Sequence, residues 1–140
     1  MPELIHNTDE YLYEKKRDIF VLELKNQVKE RMSFDRNNIA NQQIEKEQLD
    51  WLTAHGISFA KTCSPGVLIG WAGHYFVDFS GWDDPAVAAY SAAFENDNGS
   101  SKAPDKFRMV ALSYEEWVKN GFLSKHEQYL IDREDPNFEW

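Results

Sequence analysis

The sequence predicts an α+β domain, with an N-terminal helical hairpin followed by a mostly antiparallel four-stranded sheet and additional C-terminal helices. Three observations carry this prediction. Apolar residues recur at three- and four-residue spacing through the first third of the chain, and no Gly or Pro interrupts Asp9 to Met32. From Ile57 to Phe79 the pattern changes to period-two alternation broken by turn residues. Helix-start signatures then return at Asp84-Pro85, at Ser113 with Glu116, and at Ser124 with Glu127. At 140 residues the chain fits one domain. Its parts are a helical hairpin over about 8–55, a sheet-containing part over about 57–133 and an acidic tail at 134–140.

The first helix is expected to begin at an Asn7 or Thr8 cap, with Glu10 completing a reciprocal capping box. Tyr13, Phe20, Val21, Leu24, Val28 and Met32 then form one apolar stripe of a long helix. The competing reading is a short strand at Ile19-Phe20-Val21-Leu22. Ser33 to Asn38 is rich in turn formers and breaks the pattern. A second helix follows from about Asn37 to Ala54, and Gly56 terminates it.

Three strands are expected next. Ile57, Phe59 and Cys63 alternate with polar or small neighbours, and Pro65-Gly66 supplies a turn. Val67 to Trp71 makes the second strand, Ala72-Gly73 the connection, and His74 to Phe79 the third. Tyr75, Val77 and Phe79 share one face of that third strand, with His74, Phe76 and Asp78 on the other. Asp84 caps a third helix through Phe94, and Asn96 to Pro104 is a polar loop. Lys106 to Leu112 is the fourth strand. Short helices follow from Ser113 and from Ser124, the last ending near Asp132.

The net charge of −9 disfavours nucleic acid and anionic membranes, and it favours basic protein partners. The only basic cluster, Lys15-Lys16-Arg17, is flanked by Glu14 and Asp18. One cysteine, Cys63, suits a reducing compartment. No basic-then-apolar leader pattern is visible in Met1 to Asn7, and the longest apolar run falls well short of the about 20 residues that span a bilayer. These features together predict a cytoplasmic protein.

Several constellations bear on chemistry. Cys63, His74 and Asp78 lie in one meander and supply the residue types of a nucleophile, a base and an orienting carboxylate. No nucleophile signature surrounds Cys63, so it reads first as a small strand residue. Gly66, Gly70 and Gly73 are flanked by strands rather than by a strand and a helix, which is wrong for a phosphate loop. Asp78, Asp83, Asp84, Glu95 and Asp97 invite a hard cation. Yet aligning Gly99 with a calcium-loop glycine puts Phe94 at the first ligand position, so the loop reads as an ordinary turn. The four histidines have no zinc-ligand spacing. No metal and no cofactor is expected.

The segment Trp71 to Asp84 stands apart, because it interleaves Trp71, Tyr75, Phe76, Phe79 and Trp82 with carboxylates. Aromatics left outside the core beside carboxylates suit docking to a basic surface. Trp71, Trp82, Asp83 and Asp84 are therefore the candidate partner-binding residues. The sequence expectation is a non-catalytic, acidic binding protein that inhibits or adapts a basic protein. Its size and charge are those of immunity proteins against toxins and of phage inhibitors of host defence, an analogy with no motif behind it. Two alternatives stand beside it: a small cysteine-dependent enzyme using Cys63 and His74, and a structural subunit that forms homo-oligomers through its N-terminal helices.

Overall fold

Ile19-Phe20-Val21-Leu22 is four apolar residues in a row, two of them β-branched, followed by Glu23-Leu24. Such a run suits a strand buried on both faces. In the computed structural model, which describes residues 6–28, 34–63 and 71–134, it forms the centre of the sheet. The elements in chain order are β1 (His6–Asn7), α1 (Thr8–Lys15), β2 (Ile19–Leu24), α2 (Ile39–Ala54), β3 (Phe59–Cys63), β4 (His74–Val77), α3 (Pro85–Phe94), β5 (Phe107–Leu112), α4 (Tyr114–Lys119) and α5 (Phe122–Glu134). The strand order is β1-β3-β4-β2-β5. β3, β4, β2 and β5 form an antiparallel four-stranded sheet, and the two-residue β1 adds parallel to β3 at one edge. Among the described residues no helix is long and apolar enough to cross a membrane.

The long first helix is corrected. Asn7 caps it as expected, accepting from the Asp9 N–H at 2.9 Å. It ends after two turns, where Lys16 adopts a left-handed conformation (φ 55°) and donates its N–H to the Leu12 carbonyl. The stripe that suggested a helix is ambiguous by arithmetic: Phe20 and Leu24 are four apart, a spacing that puts residues on one face of a helix and of a strand alike. The strand alternative at Ile19 to Leu22 is what forms, so the expected N-terminal hairpin reduces to the short α1, β2 and the intact α2. Asn38 caps α2, and Gly56 follows it with φ 70°.

Helices cover both faces of the sheet. On one face, Phe20, Leu22 and Leu24 of β2 join Tyr75 and Val77 of β4, and α2 and α3 pack there through Ile44, Leu52, Tyr90 and Phe94. On the other face Ile19, Val21 and Phe76 meet Tyr11 and Leu12 of α1 and Trp117 of α4. The face assignment expected for His74 to Phe79 holds in both directions. Phe59 and Val110 are only half-buried, because each lies on an outer strand of the antiparallel sheet.

The expected strand at Val67 to Trp71 and the Pro65-Gly66 turn fall largely outside the described residues. Gly73 has φ 90°, and a Cβ there would lie 2.7 Å from the Leu24 carbonyl oxygen, so this close crossing requires glycine. Ser124 does not cap the last helix. α5 starts two residues earlier, after Gly121 at φ 82°.

Replacement of Phe79 by Ala is expected to lower the unfolding free energy by about 3–5 kcal/mol, and Val110→Ala by clearly less, since only Phe79 is fully enclosed. Urea denaturation of both variants checks this, and equal losses would contradict the layer assignment.

Candidate functional site

The loop between β4 and α3 is built by Asp84. Its carboxylate accepts from the Ala86 N–H at 2.9 Å, which caps α3, and from both the Ser80 N–H (2.9 Å) and the Ser80 hydroxyl (3.1 Å). The Asp84 N–H in turn donates to Gly81. This closes a tight turn whose crest is Trp82-Asp83. The backbone amides of Ser80 and Ala86 hold the Asp84 carboxyl below the ordinary aspartate range.

Trp82 is 62 % exposed, yet it is not loose. Its indole N–H donates to Asp18 Oδ2 at 2.8 Å, and its ring stands edge-on to Phe20 at 5.0 Å. Phe20 meets Phe79 edge-on at 5.2 Å, which ties the exposed indole to the core. The other Asp18 oxygen accepts from the Tyr114 N–H at 2.9 Å. Asp18 thus joins the entrance to β2, the start of α4 and the Trp82 turn. A cleft of about 480 Å³ opens beside the indole between α3 and β5, floored by Phe20, Phe79, Met109 and Ala111 and walled by Val87 and Glu95. Past Glu95 it continues into a wider depression along Ala88, Ser91, Asp97 and Lys102. Asp83 is exposed beside Trp82.

The four residues singled out from the sequence do not form one patch. Trp71 precedes β4 and Trp82 follows it. Trp71 is 8 % exposed; its indole N–H donates to the His74 carbonyl, its own carbonyl accepts from Phe34, and it packs edge-on to Phe34 and Tyr75. The Lys61 ammonium lies 4.8 Å from its ring centre. Trp71 is a core residue, and Asp84 is a helix cap. Trp82 and Asp83 remain as surface groups. Asp18, Met109 and Ala111 were not legible as neighbours of Trp82, since the sheet brings them to it from distant parts of the chain, whereas Glu95 reaches the cleft from the far end of α3.

The Cys63, His74 and Asp78 constellation is not assembled. Strand alternation places Cys63 with Phe59 and Lys61 on the α2 and α3 face, and His74 with Phe76 on the opposite face. Burial raises the Cys63 thiol pKa, which disfavours the thiolate. Burial lowers the His74 pKa, while Glu23 opposes the shift. Burial works against ionisation of Glu23, but hydrogen bonding to Arg108 and its charge outweigh this and hold the carboxyl low. Asp78 pairs with Arg17 at 3.3 Å and Lys15 at 3.8 Å, which neutralises part of the basic cluster. The Asn96 to Gly99 loop closes on itself: Asn98 accepts from the Ser100 N–H and hydroxyl, and Gly99 donates to the Asn96 carbonyl. Among the described residues no group of three or more His, Cys, Asp or Glu is placed to hold a metal ion.

The Asp84 cap makes a pH-dependent contribution whose sign follows from its depressed pKa. The stabilisation is complete above the unfolded value of about 3.9 and is lost as pH falls through the lower folded value. Asp84→Ala is therefore expected to cost about 0.5–2 kcal/mol at neutral pH, with the gap to wild type narrowing as pH falls below about 4. Denaturation of both proteins across that range checks it. A gap that stays constant with pH would show that the carboxylate is not the source. Comparison with protein-family models, with curated proteins and with solved structures finds no match to this chain.

Proposed function

We propose that this is a non-catalytic acidic binding protein of the cytoplasm that inhibits or adapts a basic protein partner, docking it at the Trp82-Asp83 crest and the cleft beside it. The observation that carries this reading is a tryptophan exposed over most of its surface yet fixed by a hydrogen bond and an edge-on aromatic contact. A pre-positioned indole loses little conformational freedom on association, which is the property of an interface anchor. Glu95 and Asp97 line the same groove with one cation, Lys102, and Asp83 is exposed next to Trp82, so the local charge has the sign of the whole chain, −9. Such a surface attracts a basic partner from a distance and holds it by the apolar cleft. An immunity-like or anti-defence-like inhibitor of a basic effector, for example a nuclease, is the biological class this chemistry suits. Trp71 and Asp84 contribute to the proposal only by shaping the fold that presents Trp82.

The test is capture from native lysate on immobilised wild-type protein and on Trp82→Ala, with melting temperatures of both measured first. A basic protein retained by wild type and lost from the folded variant supports the reading. For that partner, rising salt and Asp83→Asn should slow association, whereas Trp82→Ala should chiefly speed dissociation. Equal retention by the two proteins would contradict it.

A further inference from the structure

β5 is the outer strand of the sheet on the Trp82 side, and among the described residues no strand pairs with its outer edge. Its hydrogen-bonding direction can be worked out residue by residue. The Lys25 N–H donates to the Lys106 carbonyl, and the ladder runs in register from Leu24 opposite Phe107 to Ile19 opposite Leu112. In an antiparallel pair, residues alternate between exchanging bonds with the partner strand and facing away from it. Lys106, Arg108, Val110 and Leu112 therefore bond to β2. The N–H and C=O groups of Met109 and Ala111 point outward, while the Phe107 N–H is already turned back to the Ala103 carbonyl.

The side chains of these outward-facing residues are telling. Natural edge strands are blunted by lysine, proline or bulges, which prevent pairing with other chains. Phe107, Met109 and Ala111 carry none of these, the ladder with β2 is unbroken over six residue pairs, and the one charge in the strand, Arg108, is tied to Glu23. Alternation puts Met109 and Ala111 over the same face as Phe20, where they floor the cleft under Trp82. The two outward-facing peptide units and the apolar cleft are thus adjacent parts of one surface, with Glu95 at the cleft and Asp83 exposed next to Trp82.

We infer that the basic partner docks by adding an extended segment to the β5 edge, with its backbone pairing to Met109 and Ala111, an apolar side chain entering the cleft beside Trp82, and Lys or Arg residues facing the acidic rim. This rests on the proposed binding function and specifies its mode. Main-chain pairing supplies the affinity, and the cleft and rim supply the selectivity. A second copy of this chain is the less favoured occupant, because it would bring another nine negative charges to an acidic surface.

The probe is the synthetic peptide Lys-Val-Lys-Leu-Lys-Val-Lys titrated into ¹⁵N-labelled protein. The Met109 and Ala111 amides should shift and their hydrogen exchange should slow at least about tenfold, while Arg108 and Val110, already bonded to β2, change less. Ala111→Pro removes an outward N–H without removing a bond to β2, and it should weaken the peptide about tenfold or more at an unchanged melting temperature. The same peptide N-methylated at alternate residues leaves the protein untouched and should also bind about tenfold or more weakly, which secures the test if the proline variant fails to fold. Undisturbed Met109 and Ala111 amides at millimolar peptide, or undiminished binding of the methylated peptide, would overturn strand addition. So would a concentration-dependent shift of the two amides without peptide, which would assign the edge to a second copy. Binding lost in Trp82→Ala but kept in folded Ala111→Pro would overturn the strand mode and leave the Trp82 surface standing. The reverse pattern would support the strand mode and remove Trp82 as the anchor.

Discussion

Everything in this fold is arranged around β2, which is buried on both faces and paired on both edges. Its residues divide cleanly: Phe20, Leu22 and Leu24 pack toward α2 and α3, and Ile19 and Val21 toward α1 and α4. Its backbone divides in the same way. Leu24 donates to Gly73 beyond β4, and alternation sends the amides of Phe20 and Leu22 to β4 and those of Ile19, Val21 and Glu23 to β5. No position of the strand is spare. A one-residue slip would exchange the two apolar sets, break both ladders and move Asp18 away from the Trp82 turn.

That constraint explains how a surface tryptophan comes to be fixed. Asp18 immediately precedes β2, so the register that aligns the strand also aims the Asp18 carboxylate at both Trp82 and the Tyr114 amide. Phe20, two residues on, supports the indole from below. The cleft beside Trp82 follows from the same geometry, since Phe20 of β2 and Met109 and Ala111 of β5 form its floor and Val87 of α3 its wall. Core order and surface display are one arrangement read at its two ends.

Much of this was legible in the sequence because the signals were local. Asn7, Asp84 and Ser113 sit at helix starts where their side chains satisfy exposed amides, a requirement that a few neighbouring residues determine. The alternation from His74 to Phe79 was equally readable, since each residue faces a different layer. β2 was misread because a doubly covered strand has no alternation to show and because its apolar spacing of four also fits a helix. Ser124 had the right neighbours for a cap, but Gly121 had already fixed where the chain turns. Trp71 and Trp82 looked alike in composition. What separates them is tertiary: Phe34 and Tyr75 enclose the first, whereas Asp18 and Phe20 hold the second at the surface.

Native-state hydrogen exchange tests the central role of β2 most directly. If the strand is the shared support of both layers, the amides from Phe20 to Leu24 can open only when the whole domain unfolds. They should exchange with the full free energy of global unfolding, while α1 and α5 open more cheaply. Exchange of these β2 amides at the same low cost as α1 would contradict the account, because it would mean that Ile19 to Leu24 detaches with the N-terminal helix instead of holding the sheet together.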